Sequence, residues 1–171
     1  MAKRNLPAFI LKNCSLAIDG DVRIGQCNSI TIPVLERTME EFRNAGMIKP
    51  REVAMGYEVT TTTFKETAFD PAVMNLYGIG TGSNRNLVAY GYLESEDGRE
   101  HEARFEMVAD FKKIDGGEWS PGEKAESEYE LTVHEGRLIV DGNEVFAFDD
   151  FTITINGKTQ QPGKAAALRM I

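Results

Sequence analysis

From Ala103 to Phe111 the odd positions are Ala103, Phe105, Met107, Ala109 and Phe111, while Glu102, Arg104, Glu106 and Asp110 hold even ones. The alternation returns between Lys124 and Val133. There Ala125, Ser127, Tyr129, Leu131 and Val133 form one row, and Lys124, Glu126, Glu128, Glu130 and Thr132 the other. Side chains that change face at every residue belong to strands with one buried and one solvated face, so two long antiparallel strands are predicted. Asp115-Gly116-Gly117-Glu118-Trp119-Ser120-Pro121-Gly122 separates them and reads as a loop, because proline has no donor for a ladder and glycine no side chain to pack.

The rest of the chain is also mostly strand by pattern. Asp19-Gly20 supplies the positive φ of a tight turn between Ser15–Ile18 and Asp21–Ile24. Ser29 to Pro33 alternates. Val34 to Met47 fits a short amphipathic helix through Leu35, Met39 and Phe42, or an extended strand, with helix the better match by spacing. Asn44 to Gly56 reads as a long surface loop, and Tyr57 to Phe64, with four threonines, as a strand. Asp70-Pro71 is a helix start, with Val73, Met74, Leu76 and Tyr77 as the apolar stripe of about two turns and Gly78 to close it. Asn86–Leu93 is a strand that turns at Glu96-Asp97-Gly98. Arg137–Val140 and Glu144–Phe148 form a hairpin about Asp141-Gly142-Asn143, and Phe151–Ile155 alternates again. The tail from Lys158 ends in a helical turn or an extended arm. About eight strands and one short helix, closely spaced, indicate a mainly β, antiparallel barrel or sandwich.

Composition narrows the function. At 171 residues, with no Ser/Pro-rich linker, the chain is expected to form a single domain. A net charge of −8 opposes a surface built to grip phosphates, though not one past which nucleic acid slides. No apolar run reaches the roughly 20 residues that span a bilayer, and the start lacks a secretion-signal core. Cys14 and Cys27 are therefore expected as reduced thiols rather than a disulfide. Gly78-Ile79-Gly80-Thr81-Gly82-Ser83 has phosphate-loop composition but follows a helix instead of leading into one, so it reads as a helix cap and loop. His101 and His134, expected on the wet face, have no second His or Cys at ligand spacing, and no Gly-x-Ser-x-Gly elbow is present. Glu126 and Glu128 are explained by a solvated strand face. No catalytic residue, metal or cofactor is expected, and the chain is read as a non-enzyme.

The segments Asn13–Gly20, Ser29–Leu35, Phe42–Met47, Ile114–Glu126 and Leu138–Val145, taken together and in order, resemble the major tail tube proteins of P2-like contractile-tailed phages and the related R-type pyocin tubes. The similarity spans nearly the whole chain, departing at Gly80–Asn86 and at the Ala-rich end. It implies a tail-tube fold whose subunits form hexameric rings, stacked into a hollow tube inside a contractile sheath in the virion tail, assembled in the bacterial host cytoplasm. The implied partners are further copies of the chain, the sheath, baseplate and tail terminator proteins, and genomic DNA that passes without specific binding; no membrane anchoring is implied. The resemblance makes Val34–Phe42 largely extended. It builds the inner wall from Ile30–Glu41 with Tyr57–Phe64 and from Glu100–Phe111 with Lys124–Val133. It also assigns the loop containing Asn44, Gly46, Met47, Lys49 and Arg51 to contacts between subunits or rings.

On that reading Glu102, Arg104, Glu106, Asp110, Lys124, Glu126, Glu128 and Glu130 line the bore. A mostly acidic wall gives a passing polyanion no cations to hold it. Two alternatives stay open. One is the tube of a type VI or other contractile injection system, which passes proteins and whose gene lacks a neighbouring packaging terminase. The other is a carbohydrate-binding β-sandwich using Trp119, Tyr90 and Tyr92.

Overall fold

The computed structural model describes residues 9–67, 69–77 and 83–170. In chain order the elements are β1 (Ile10–Ile18), β2 (Asp21–Val22), β3 (Cys27–Thr31), β4 (Arg37–Phe42), β5 (Arg51–Tyr57), β6 (Thr61–Thr67), α1 (Pro71–Met74), β7 (Arg85–Glu94), β8 (Glu100–Asp115), β9 (Glu126–Val140), β10 (Asn143–Phe148), β11 (Ile153–Ile155), β12 (Lys158–Thr159) and α2 (Pro162–Ala167). The strands pair antiparallel. Ten form one sheet, ordered β12-β11-β10-β9-β8-β7-β1-β2, with β6 also paired to β9 and β3 to β6. The sheet curls until β1 comes beside β3.

β8 and β9 are its spine. One edge of β9 is shared: β6 occupies Glu126–Thr132 and β10 takes over from Gly136. The odd residues of the opening pattern point inward as predicted, with Phe105, Met107, Ala109, Phe111, Tyr129, Leu131 and Val133 all buried. They pack against Leu16, Ile18, Phe64, Leu87 and Phe148, where Phe64 stacks on Tyr129 at 4.8 Å.

Two β-bulges interrupt the parity. Val108 opposes Glu135 while Ala109 opposes Val133, so His134 is an extra residue. Beyond it the even positions Gly136 and Leu138 turn to the core and Arg137 to the polar side. Lys112 is the extra residue of the second bulge, which brings Ile114 inward opposite Tyr129. These bulges let Lys124–Val133 and Arg137–Val140, predicted as separate strands, run as the single strand β9.

Several boundaries differ from the pattern. The loop expected over Asn44–Gly56 is shorter, because Arg51–Tyr57 forms β5 and pairs with β4; its residues do not alternate since both faces are exposed. Tyr57 closes that hairpin, and the threonine-rich strand begins only at Thr61. Val34–Met47 is not helical; its ordered part is β4. The helix at Asp70-Pro71 is one turn rather than two, with the Asp70 carboxylate accepting from the Ala72 amide, and Gly78 lies outside the described residues. Of the helical turn or extended arm expected for the tail, the helical form is present as α2, so the chain has two short helices among the described residues. Cys14 and Cys27 are free thiols, both half-buried.

Candidate assembly surfaces

The face of the spine turned away from the core is continuous and polar. Register places Glu102, Arg104, Glu106 and Asp110 of β8 on it together with Glu126, Glu128 and Glu130 of β9. Tyr90 and Tyr92 of β7 oppose Arg104 and Glu102. Lys124 does not join them, because it lies in the loop just before β9.

This face is more evenly balanced in charge than the alternation alone suggests. Glu106 sits between two arginines: Arg104 Nε is 3.0 Å from its Oε1, and the Arg137 guanidinium donates to its Oε2. That bond raises the Arg137 pKa further. Lys65 lies 3.7 Å from Glu128 and Lys112 3.4 Å from Glu130, and Asn28 Nδ2 donates to Glu126 at 2.5 Å. Sequence reasoning missed Arg137 because the bulge at His134 inverts parity beyond it. Lys65 was missed because its strand was placed too early to include it. Pairs exposed this far hold their carboxylates in place more than they stabilise the fold.

His101 is mostly covered rather than on the wet face. Its ring lies 4.6 Å from that of Phe9, and its Nδ1 is 2.7 Å from Asp141 Oδ2. Asp141 also accepts from the Glu102 amide at 3.0 Å; that bond first and His101 second hold its carboxyl below the usual range. The pair clips the β9–β10 turn to the start of β8. Among the described residues, no group of three or more His, Cys, Asp or Glu side chains is placed to hold a metal. No helix among them is long and apolar enough to cross a membrane. Trp119 meets Phe69 edge-on at 5.6 Å on the β8–β9 loop, while Tyr92 donates to Glu100 at the other end of β8, so Trp119 shares no platform with Tyr92.

The second surface is the β4–β5 hairpin, a two-stranded sheet paired with no other strand among the described residues. Its base is closed by the Glu58 amide donating to Glu36 O at 2.8 Å. At its tip Met47 N donates to Asn44 O at 3.1 Å, and Gly46 takes φ +85°, a left-handed value that glycine adopts without strain. Asn44, Gly46, Met47 and Lys49 lie in this turn, whereas Arg51 is the first residue of β5. Met39, Phe42, Ile48, Val53, Met55 and Tyr57 are all exposed along it. Glu41 stands directly opposite Glu52, a like-charge pairing that destabilises a ladder. Isolated two-stranded ribbons are marginal in water, so the hairpin is built to lean on something else.

The family described as phage tail tube protein FII matches residues 8–163 of the chain. The chain belongs to the phage tail tube protein FII family. Consistent with this, it is 27% identical over 154 residues to the tail tube protein of Escherichia phage P2, covering 86% of this chain and 89% of that one. Its fold also resembles two components of an extracellular contractile injection system, the PVC particle, in the extended state. The sheath/tube terminator aligns with a TM-score of 0.57 at 12% identity over 82% of this chain and 99% of the other. A chain of the sheath–tube complex aligns with a TM-score of 0.56 at 12% identity, over 81% and 92%. Membership of the phage tail tube protein FII family makes this chain a structural component of a phage tail tube. It also gives the polar face and the detached hairpin a context in which both can be used.

Proposed function

We propose that the whole chain acts as one tube-forming domain, copies of which close into hexameric rings that stack into the inner tube of a contractile tail. The polar face of β6, β8 and β9 lines the bore, and genomic DNA passes along it without specific binding. The β4–β5 hairpin reaches neighbouring copies. The sheath surrounds the tube, terminator and baseplate proteins cap its ends, and assembly takes place in the host cytoplasm, with no catalytic step and no membrane anchor.

The observation that carries this reading is the hairpin, an unsupported ribbon of exposed apolar side chains on an otherwise well-packed sheet. Apolar surface of that kind marks a protein contact. The sheet also ends in strands, β2, β3 and β12, that have an unpaired side among the described residues. Ring closure covers such edges, which otherwise recruit strands indiscriminately. On the bore side, Glu102, Asp110 and Glu126 carry no cation partner among the described residues, while Glu106, Glu128 and Glu130 pair with cations of the same subunit. A wall whose cations are already engaged displaces few counterions from DNA and so does not retain it.

The test is electron microscopy of the purified full-length chain at rising concentration. Stacked rings with a central channel support the proposal. Monomers under all assembly conditions, or rings whose channel is lined by the apolar residues, overturn it.

A further inference from the structure

The hairpin tip departs from the charge of the chain that carries it. From Phe42 to Arg51 there are three cations, Arg43, Lys49 and Arg51, and no carboxylate, in a protein of net charge −8. None of the three is in an ion pair with a described residue; Arg43 donates from Nε to Met47 O at 3.1 Å. Beside them Ile48 is 95% exposed.

The β8–β9 loop has the opposite character. From Asp115 to Lys124 it holds three carboxylates, Asp115, Glu118 and Glu123, against one cation, Lys124, at its β9 end. Glu118 and Glu123 are exposed and unpaired among the described residues, and Trp119 between them is 71% exposed. The loop is held in shape, since the Asp115 carboxylate accepts from the Gly117 amide at 2.9 Å and Trp119 rests on Phe69.

Register sets the root of the hairpin apart from the β8–β9 loop along the strand axis. Glu126, the first residue of β9 after the loop, pairs with Thr67 of β6, and Cys27 of β3 pairs with Glu66. β3 therefore starts near the loop and runs away from it, and the hairpin departs from its far end at Thr31. Two different patches of one subunit that meet between copies make a head-to-tail contact, and such a contact propagates into an open stack.

We propose that the Arg43, Lys49, Arg51 and Ile48 tip of one copy docks on the Glu118, Trp119 and Glu123 loop of a copy in the adjacent ring. The inference rests on the tube reading above and names the partner surface for its hairpin. Opposed charges set the register and approach of the two rings. Ile48 and the lysine and arginine stems cover the Trp119 ring, whose face attracts cations, and a desolvated aromatic–cation anchor concentrates interface energy. The same pairing fixes a polarity, because a tip cannot dock on a tip.

The experiment uses full-length chains and reads sedimentable tubes, with negative-stain images to separate tubes from single rings. Lys49→Glu with Arg51→Glu, and separately Glu118→Lys with Glu123→Lys, are each expected to lose tubes while circular dichroism and single rings persist. Mixing the two double variants is expected to restore tubes, because each reversed tip then meets a reversed loop in an alternating stack. Lys164→Glu with Arg169→Glu, a charge reversal at two exposed positions on and just after α2, is expected to leave tubes unchanged. Wild-type tubes together with unaffected reversal variants overturn the docking alone and leave the tube reading standing, as does a mixture that stays dispersed or a control that fails equally. A wild-type chain that forms neither rings nor tubes overturns both.

Discussion

A Cβ built on Gly136 would stand 2.5 Å from Cε1 of Phe148 and 3.0 Å from Cζ of Phe105. Gly136 is the first residue after the bulge to turn inward, and it opposes Phe148 across the β9–β10 ladder. Its missing side chain is what lets the Phe148 ring lie over the spine. Gly136→Ala should therefore destabilise the fold by the cost of an overpacked core, about 1–3 kcal/mol. Urea unfolding checks this; a midpoint equal to wild type would mean that Phe148 moves aside freely.

Glu66 is 1% exposed on the core side of β6, and neither carboxylate oxygen has a hydrogen-bond partner among the described residues. Burial first, and the nearby Asp70 second, push its pKa up, with Arg23 only partly opposing them. A raised folded-state value means that the native protein prefers the neutral acid. Its contribution is then fully present below the unfolded value of 4.5 and is lost as pH rises through the folded one. Glu66→Gln should leave stability unchanged near pH 4 and raise it at pH 8, by up to the roughly 1–3 kcal/mol of an unsatisfied buried group. Thermal melts across that range decide it, and a constant difference at every pH would count against the argument.

The Cys27 thiol has its pKa pushed up to about 11, by burial first and by the neighbouring Cys14 next. The thiolate, not the thiol, is the nucleophile that an alkylating reagent captures. Cys27 should stay unmodified in native protein at pH 7.5 and react at once in denaturant. Peptide mapping after a timed pulse of iodoacetamide reads this, and rapid native labelling of Cys27 contradicts it.

Glu102 and Glu126 are exposed on the polar face and are not in ion pairs with any described residue. Glu102→Lys with Glu126→Lys should change unfolding free energy by no more than about 0.5 kcal/mol, the usual limit for surface sites. Assembled tubes of this variant should retain short duplex DNA in a co-sedimentation assay at low salt, with retention falling steeply as salt rises. Equal passage of DNA through variant and wild-type tubes would remove the electrostatic account of the bore.

How far the sequence can be read depends on where periodicity survives. Phe105, Met107, Tyr129 and Leu131 were legible because each strand is buried on one side and wet on the other. That contrast is absent in β4 and β5, where Met39, Val53 and Met55 are exposed along with Glu40 and Glu52, so no period marks the ribbon. The same segment is apolar enough to imitate a helix through Leu35, Met39 and Phe42. The bulges at Lys112 and His134 were illegible for a different reason: an inserted residue leaves no compositional trace and yet inverts everything downstream, moving Arg137 onto the polar face. Most of the carboxylates proposed for the bore could be found by counting in twos, while their partners Arg137, Lys65 and Lys112 needed three dimensions.

The unsupported hairpin also makes temperature a variable. Its apolar side chains stay hydrated until another molecule covers them, and the driving force for covering them weakens on cooling. A chilled solution should accordingly hold more dispersed subunits than a warm one at equal concentration, and light scattering should recover on rewarming. Storage in the cold then becomes a way of keeping the protein ready without letting it commit.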